Sequence, residues 1–217
     1  MSPLRPTPPA THQPLPRTLV ALVGGIALVE VILSLADWGV IADPTLRSRV
    51  FIAGAFWAQL LHGDAPIFTA QPVTMFLTHA LLHGSMLHMV MNMAILLALG
   101  RFAADRYGAG VILPVFLLSA IAGGAVFGFL GLWIAWDWRR HRRHGISPAP
   151  VARRVAVLAG LNVLLFFGLQ GMLAWQAHLG GFLAGLAVGF WLEGRLERRD
   201  RAARAGARRG RGTPWDG

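Results

Sequence analysis

Hydrophobic residues occur in long runs along this chain, separated by short segments rich in arginine, glycine or proline. A helix that crosses a bilayer needs about 20 mostly apolar residues. The runs that reach or approach this length are residues 19–35, 73–99, 109–136, 155–173 and 177–192. A further run of about a dozen residues, 50–61, is too short to cross and suits the membrane interface. The pattern predicts an all-α, polytopic membrane helix bundle with about five spans.

The run at 109–136 does not fit a simple crossing. It is long for one tilted helix and short for two full spans, and it contains Pro114 and the pair Gly123-Gly124, where a kink or a re-entrant turn could form. Arginine clusters mark the cytoplasmic side of short loops, and such clusters flank this run at 101–106 and 139–154. Either the run enters the membrane and returns to the same side, or one of the two basic loops lies outside the cytoplasm.

Composition supports a membrane protein. Of the 217 residues, 55% are hydrophobic and 14% charged, and the mean hydropathy is +0.54, which is more apolar than an ordinary soluble domain. The net charge of +10 comes from arginine without any lysine, outside the apolar runs. We interpret these arginines as topology signals and lipid contacts rather than a nucleic-acid surface. The sequence has no cysteine, which excludes disulfides and Cys-ligated metals.

Three regions follow from these patterns. We expect residues 1–17, which are rich in proline, to form a disordered cytoplasmic tail. Residues 18–193 form the membrane domain, and residues 194–217 form an arginine-rich cytoplasmic tail. The expected location is the bacterial inner membrane, with the N-terminus in the cytoplasm.

Several polar residues lie within the apolar runs. His79 and His83 are four residues apart, as are His88 and Asn92, so each pair can share a helix face. Because polar groups are costly inside a bilayer, His88 and Asn92 are candidates for a functional site. For His79 and His83, which are nearer the outer end, a structural and a functional role stay equally open. For Glu30 we expect a structural role, near the outer interface or facing other helices.

In the last run, His178 precedes Gly181, Gly185 and Gly189, which recur every four residues. This small-xxx-small pattern allows two helix backbones to approach closely. Packing explains the glycines but not the histidine. A histidine held there could act as a general base toward a hydroxyl on a neighbouring helix.

These residues carry a resemblance to a known family. The runs HALLHGSMLHMVMNMAILLALG and AHLGGFLAGLAVG resemble the signature helices of the rhomboid intramembrane serine proteases, and GAFWAQLLHG with the later basic loop agrees. The resemblance covers about residues 18 to 193. It implies a rhomboid-like bundle and a serine endopeptidase that cuts the transmembrane segments of other proteins. It also implies that His178 is the general base and that His88 and Asn92 help form the oxyanion hole.

The resemblance to the family does not extend to the catalytic nucleophile. The family has a Gly-x-Ser-Gly motif at the start of its fourth span, and no such motif occurs in this chain. The family's third and fourth spans correspond only to the single run 109–136. The segment IAGGAVFGFLG can stand for the serine motif, with Gly123 at the nucleophile's place, or for the end of the third span with the motif deleted. Of the remaining serines, Ser85 and Ser119 are more simply packing residues, and Ser147 lies in the cytoplasmic loop.

Two functions therefore stay open from the sequence. One is an intramembrane serine endopeptidase with an unidentified nucleophile, and the other is a non-catalytic rhomboid-like protein that binds the transmembrane helices of partner proteins. The absent serine favours the second. A haem or metal site built from the intramembrane histidines is disfavoured because no acidic cluster accompanies them, and we expect no cofactor.

Overall fold

The regular secondary structure of the described chain is helical. The computed structural model describes residues 14–168 and 175–209. Its α-helices are α1 (Arg17–Asp37), α2 (Leu46–Gly54), α3 (Gln71–Thr78), α4 (Met86–Tyr107), α5 (Ile112–Ile121), α6 (Ala125–Arg143), α7 (Ala149–Gly168) and α8 (Trp175–Arg209). Short 3-10 helices lie at Ala58–Leu61, His79–Leu81 and Ala109–Val111. In this part of the chain, α1 and α4 are each long and apolar enough to cross a membrane, and α5 and α6 pass the same test only together, as a bent pair. The predicted all-α membrane bundle is confirmed.

The closest packing in the bundle is between α6 and α8. A Cβ atom added to Gly181 would overlap the carbonyl oxygen of Gly124, and one added to Gly185 would overlap that of Gly128. The two backbones are therefore in direct contact, as the glycine spacing predicted. This contact fixes the height of α8 relative to α6.

A hydrophobic core surrounds this pair. Its fully buried members come from α1, α4, α5 and α6, and α5 packs mainly against α6 and α8 with half of its residues buried. The largest of them are Leu19, Ile26, Leu96, Ile112, Val115, Phe129 and Leu132. The lipid-facing sides of the helices carry exposed apolar residues instead, as a bilayer solvent requires.

The run 109–136 turns back on itself. The axes of α5 and α6 differ in direction by 117°, and the turn between them includes Gly123 with φ +108°, which glycine adopts without steric cost. The guanidinium groups of Arg106, at the end of α4, and Arg143, at the end of α6, both bind Glu193. The two arginine clusters that flank this run thus lie at one end of the bundle, which we call the basic end. The doubling back that the sequence left open is the observed arrangement.

A buried carboxylate holds the basic end together. Glu193 of α8 is fully buried, and its two oxygens accept hydrogen bonds from Arg106 Nε and Nη2, both at 2.9 Å, from Tyr107 Oη at 2.9 Å and from Arg143 Nη2 at 2.5 Å. An unpaired buried carboxylate would be costly, so these donors make its burial possible. The cluster joins α4, α6 and α8 where their arginines meet.

A second ion pair connects α1 and α2 at the end of the bundle opposite the basic end. Arg47 of α2 binds the fully buried Glu30 through Nη2 at 3.0 Å and Nη1 at 3.1 Å, and it also donates to the carbonyl oxygen of His83 at 2.8 Å. The hydrogen bond to Glu30 raises the pKa of Arg47 above its usual value, although partial burial opposes the shift. The structural role predicted for Glu30 is confirmed, since it ties α1 to the segment before α4.

The run 73–99, which the sequence predicts as one span, is not a single helix. The chain forms α3, a 3-10 turn and a short extended segment at Leu82 before α4 begins at Met86. Ser85 caps α4, because its Oγ accepts the backbone N–H of His88 at 3.3 Å. A serine in this role favours a helix start over a helix interior. The interfacial run 50–61 is also split, between the end of α2 and a 3-10 helix.

The arginine-rich segments form more helix than the sequence predicted. The predicted basic loop shrinks to residues 144–148, because α6 continues to Arg143 and α7 begins at Ala149. The last helix continues beyond the apolar run to Arg209. Arginine is a good helix former, so charge alone does not end a helix. The predicted end of the fourth run, residues 169–173, lies outside the described residues.

The glycine contact yields a first test. We expect Gly185→Ala to lower the free energy of unfolding by about 2 kcal/mol, because the new methyl group meets a backbone oxygen that cannot rotate away. The matched control is Gly160→Ala on α7, where a Cβ atom would meet nothing within 4 Å, so stability should change by less than about 1 kcal/mol. Thermal unfolding in detergent micelles measures both, and equal effects would contradict the backbone contact.

The buried carboxylate yields a second test. Glu193→Gln leaves Arg106 without its counter-charge and leaves Arg143 only the longer pair with Glu197, at 3.7 Å. We expect a loss of about 2 kcal/mol, less than for a fully buried pair, because the two arginine side chains are 33% and 32% exposed. Asp105→Asn removes the exposed pair with Arg101 and should cost about 0.5 kcal/mol or less. Denaturation in detergent compares them, and a Glu193→Gln protein as stable as the Asp105→Asn protein would contradict the role of Glu193.

Candidate intramembrane site

The predicted base, His178, lies in the first turn of α8 and is held on two sides. Its Nδ1 atom is 2.7 Å from Oδ1 of Asn162 on α7, and its ring stacks on Phe127 of α6 with centroids 4.0 Å apart. Asn162 Nδ2 donates to the carbonyl oxygen of Leu158 at 3.0 Å, so Oδ1 is the acceptor and His178 Nδ1 carries the proton. The other nitrogen, Nε2, is then left with a lone pair. This tautomer can accept a proton or a hydrogen bond at Nε2.

Sequence reasoning missed Asn162. The residue is one of two amide side chains in the apolar run 155–173, the other being Gln170, and an amide there is as unexpected as the histidines of the other runs. The rule that polar groups inside the bilayer mark a site applied to it equally. Its proximity to His178, however, depends on the packing of α7 against α8.

His88 and Asn92 share a face of α4, as their spacing predicted. The ring of His88 meets that of His83 edge to face, with centroids 5.2 Å apart. His88 is exposed at the start of α4, and Asn92 is half-buried. The oxyanion-hole role of His88 and Asn92 stays a prediction.

Gly123 is pressed against α8 in the turn before α6. A Cβ atom added there would lie 2.8 Å from Ala177 Cα and 3.2 Å from Ala177 Cβ, and the φ of +108° is unfavourable for other residues. The carbonyl oxygen of Gly123 also lies 3.2 Å from Nε2 of His79, whose Nδ1 is 2.7 Å from the carbonyl oxygen of Met75. His79 therefore joins α3 to this turn, which favours its structural interpretation.

The three candidate serines make other contacts. Ser119 is buried against Gly128, and its Oγ has no hydrogen-bond partner. Ser85 caps α4, and Ser147 accepts the backbone N–H of Ala149 at the start of α7. Within the described residues, the hydrogen bond of the His178 ring goes to an amide and not to a hydroxyl.

A cavity of about 540 Å³ opens beside His178, between α6, α7 and α8. Its walls are apolar, with Phe127, Phe182 and Trp175 among them, and its polar side chains are His178 and Asn162. The cavity exists because α7 packs loosely. Among the described side chains of α7, only Val151 is fully buried. Across residues 14–168 and 175–209, no group of three or more His, Cys, Asp or Glu could hold a metal ion.

These features define an integral membrane protein whose helix bundle holds a polar His–Asn pair in an apolar cavity. A family model of the rhomboid domain matches residues 70–125 and 122–195, which together span more than half of the chain. The chain therefore belongs to the rhomboid family, and the resemblance inferred from its sequence is confirmed. Membership implies transmembrane proteins as the general class of partner. The two matched stretches overlap at residues 122–125, where α5 turns into α6.

The position of Gly123 can be tested directly. We expect Gly123→Ser to lower the free energy of unfolding by about 3 kcal/mol, from backbone strain and from overlap with α8, and to give no labelling by a fluorophosphonate probe. Gly84→Ser is the control, because a Cβ atom there meets nothing within 4 Å. Thermal unfolding and gel-based labelling provide the measurements. A stable Gly123→Ser protein that reacts with the probe would contradict this expectation and show that a serine at position 123 can act as a nucleophile.

Proposed function

We propose that this rhomboid-family protein binds the transmembrane helices of other membrane proteins without cleaving them. The observation that supports this is the environment of His178, whose hydrogen bond goes to Asn162 while Ala177 fills the space beside Gly123. We further propose that the protein lies in the bacterial inner membrane, with its N-terminus and its basic end toward the cytoplasm.

Serine proteolysis needs a hydroxyl that the base can deprotonate. In a catalytic triad the nucleophile donates to one imidazole nitrogen, and a third group orients the other. Asn162 is positioned as such an orienting group, but no hydroxyl donates to Nε2 of His178 among the described residues. Ser119 is buried against Gly128 of α6, and its Oγ has no hydrogen-bond partner among the described residues. A base without its nucleophile can still bind a polar group.

The cavity suits a helix with one hydrogen-bond donor. Its apolar walls match the side chains of a transmembrane segment, and the loose packing of α7 leaves room for an approaching helix. Because Nε2 of His178 is an acceptor, a client segment with a hydroxyl or amide near its middle could donate to it. Such bonds between helices in membranes contribute about 0.6–2 kcal/mol. We therefore propose clients that carry a polar residue within the membrane.

The binding site is tested by photo-crosslinking in liposomes. A photoreactive residue at Val163, which lines the cavity and is 58% exposed, should crosslink a transmembrane test peptide. The same residue at Leu28 on α1, which is 60% exposed, is the matched control and should crosslink little. A peptide with serine at its centre should bind about 3- to 10-fold more tightly than its all-leucine version. His178→Phe should remove this preference, because it removes the acceptor.

Cleavage is measured in the same liposomes. We expect intact test peptide with the wild-type protein and with His178→Ala. Cleavage by the wild type that His178→Ala loses would overturn the proposal and make Ser119 and Ser85 the candidates for the nucleophile. Equal crosslinking at Val163 and Leu28 would instead overturn the assignment of the cavity as the client site.

A further inference from the structure

A second cavity lies between α6 and α7, on the side of the first that faces the basic end. It has a volume of about 350 Å³ and is lined by Leu130, Trp133, Arg153, Arg154, Val157 and Leu158. Leu130 and Leu158 also line the cavity beside His178. The two spaces are therefore neighbours along α6 and α7, and we call them together the groove, which has apolar walls and arginines at one mouth.

The mouth of this groove carries uncompensated positive charge. Arg154 pairs with Asp137 and lies over the ring of Trp133, with Cζ 5.7 Å from the ring centroid. Arg153 is exposed, and it makes no ion pair with any of the described residues. The mouth of the groove thus has two arginines and one carboxylate, which is paired with Arg154. The indole of Trp133, which lies under Arg154, is typical of the boundary between lipid headgroups and acyl chains.

The dimensions match part of a lipid chain. Along α7, Arg154 and Asn162 are eight residues apart in the sequence, which corresponds to about 12 Å of helix. The walls between them are apolar and come from two helices that barely touch. In a bilayer such a gap lies next to lipid acyl chains, which are apolar like its walls.

We propose that one anionic phospholipid occupies this groove, with its phosphate at Arg153 and Arg154 and an acyl chain between α6 and α7. A zwitterionic lipid carries its own cation next to the phosphate and gains less from the extra arginine. A transmembrane helix could use the wider cavity beside His178, but it brings no anion to Arg153. This inference does not depend on client binding.

The test is native mass spectrometry of the purified full-length protein in detergent with equal amounts of phosphatidylglycerol and phosphatidylcholine. We expect one retained phosphatidylglycerol per chain. Arg153→Gln should weaken its retention about fivefold, because an arginine near an anionic headgroup has roughly that effect. Arg142→Gln, a likewise exposed arginine of α6 without an ion pair among the described residues, is the matched control and should leave retention unchanged.

A second variant tests the acyl-chain part of the groove. Leu158→Trp fills the narrow part while both arginines remain, so it should also reduce retention of phosphatidylglycerol. Free glycerol phosphate, which has the anion without the chain, should not be retained. Equal retention of the two lipids, equal effects of Arg153→Gln and Arg142→Gln, or undiminished binding by a folded Leu158→Trp protein would each overturn the proposal. The crosslinking at Val163 is a separate readout, so the two proposals can fail independently.

Discussion

The backbones of α6 and α8 touch, and the position of the polar site depends on this contact. Glycines on α8 lie against the carbonyl oxygens of Gly124 and Gly128, so neither helix can slide past the other without a clash. In a bilayer, where apolar side chains gain little by leaving lipid, such close backbone packing is a main source of helix association. It sets His178 beside Phe127 and against the α5–α6 turn. The same closeness leaves no room for a side chain at Gly123.

The reversal between α5 and α6 resolves a conflict of charge. Two arginine clusters flank one apolar run, and a straight crossing would have separated them across the membrane. Because the chain doubles back, Arg106 and Arg143 meet at Glu193 and neutralise a carboxylate that could not otherwise be buried. The shortened segment is thus compatible with the family's fold even though the motif that carries the nucleophile is absent.

Loose packing of α7 accounts for the cavities from which both proposals follow. α7 contributes Asn162 to the site and Arg153 with Arg154 to the basic end, yet it buries little of its own surface. A helix held so weakly can separate from its neighbours at small cost in packing energy. The space beside α7 therefore presents different chemistry at its two ends, the acceptor nitrogen of His178 at one and the cations of Arg153 and Arg154 at the other.

The sequence by itself determined the family, through the resemblance of two runs to the family's signature helices, and the helical membrane class, through its apolar runs. It also singled out His178, His88 and Asn92 as candidate site residues, because intramembrane polar groups are local features of a chain. It also indicated that α8 packs closely against a neighbouring helix, but not which one. Tertiary structure decided the rest. The break before α4, the reversal of the run 109–136, the pairing of His178 with Asn162 and the closure of space at Gly123 each depend on which helix lies beside which. Contacts between residues far apart in sequence leave no periodic signal, so only the packed bundle reveals them.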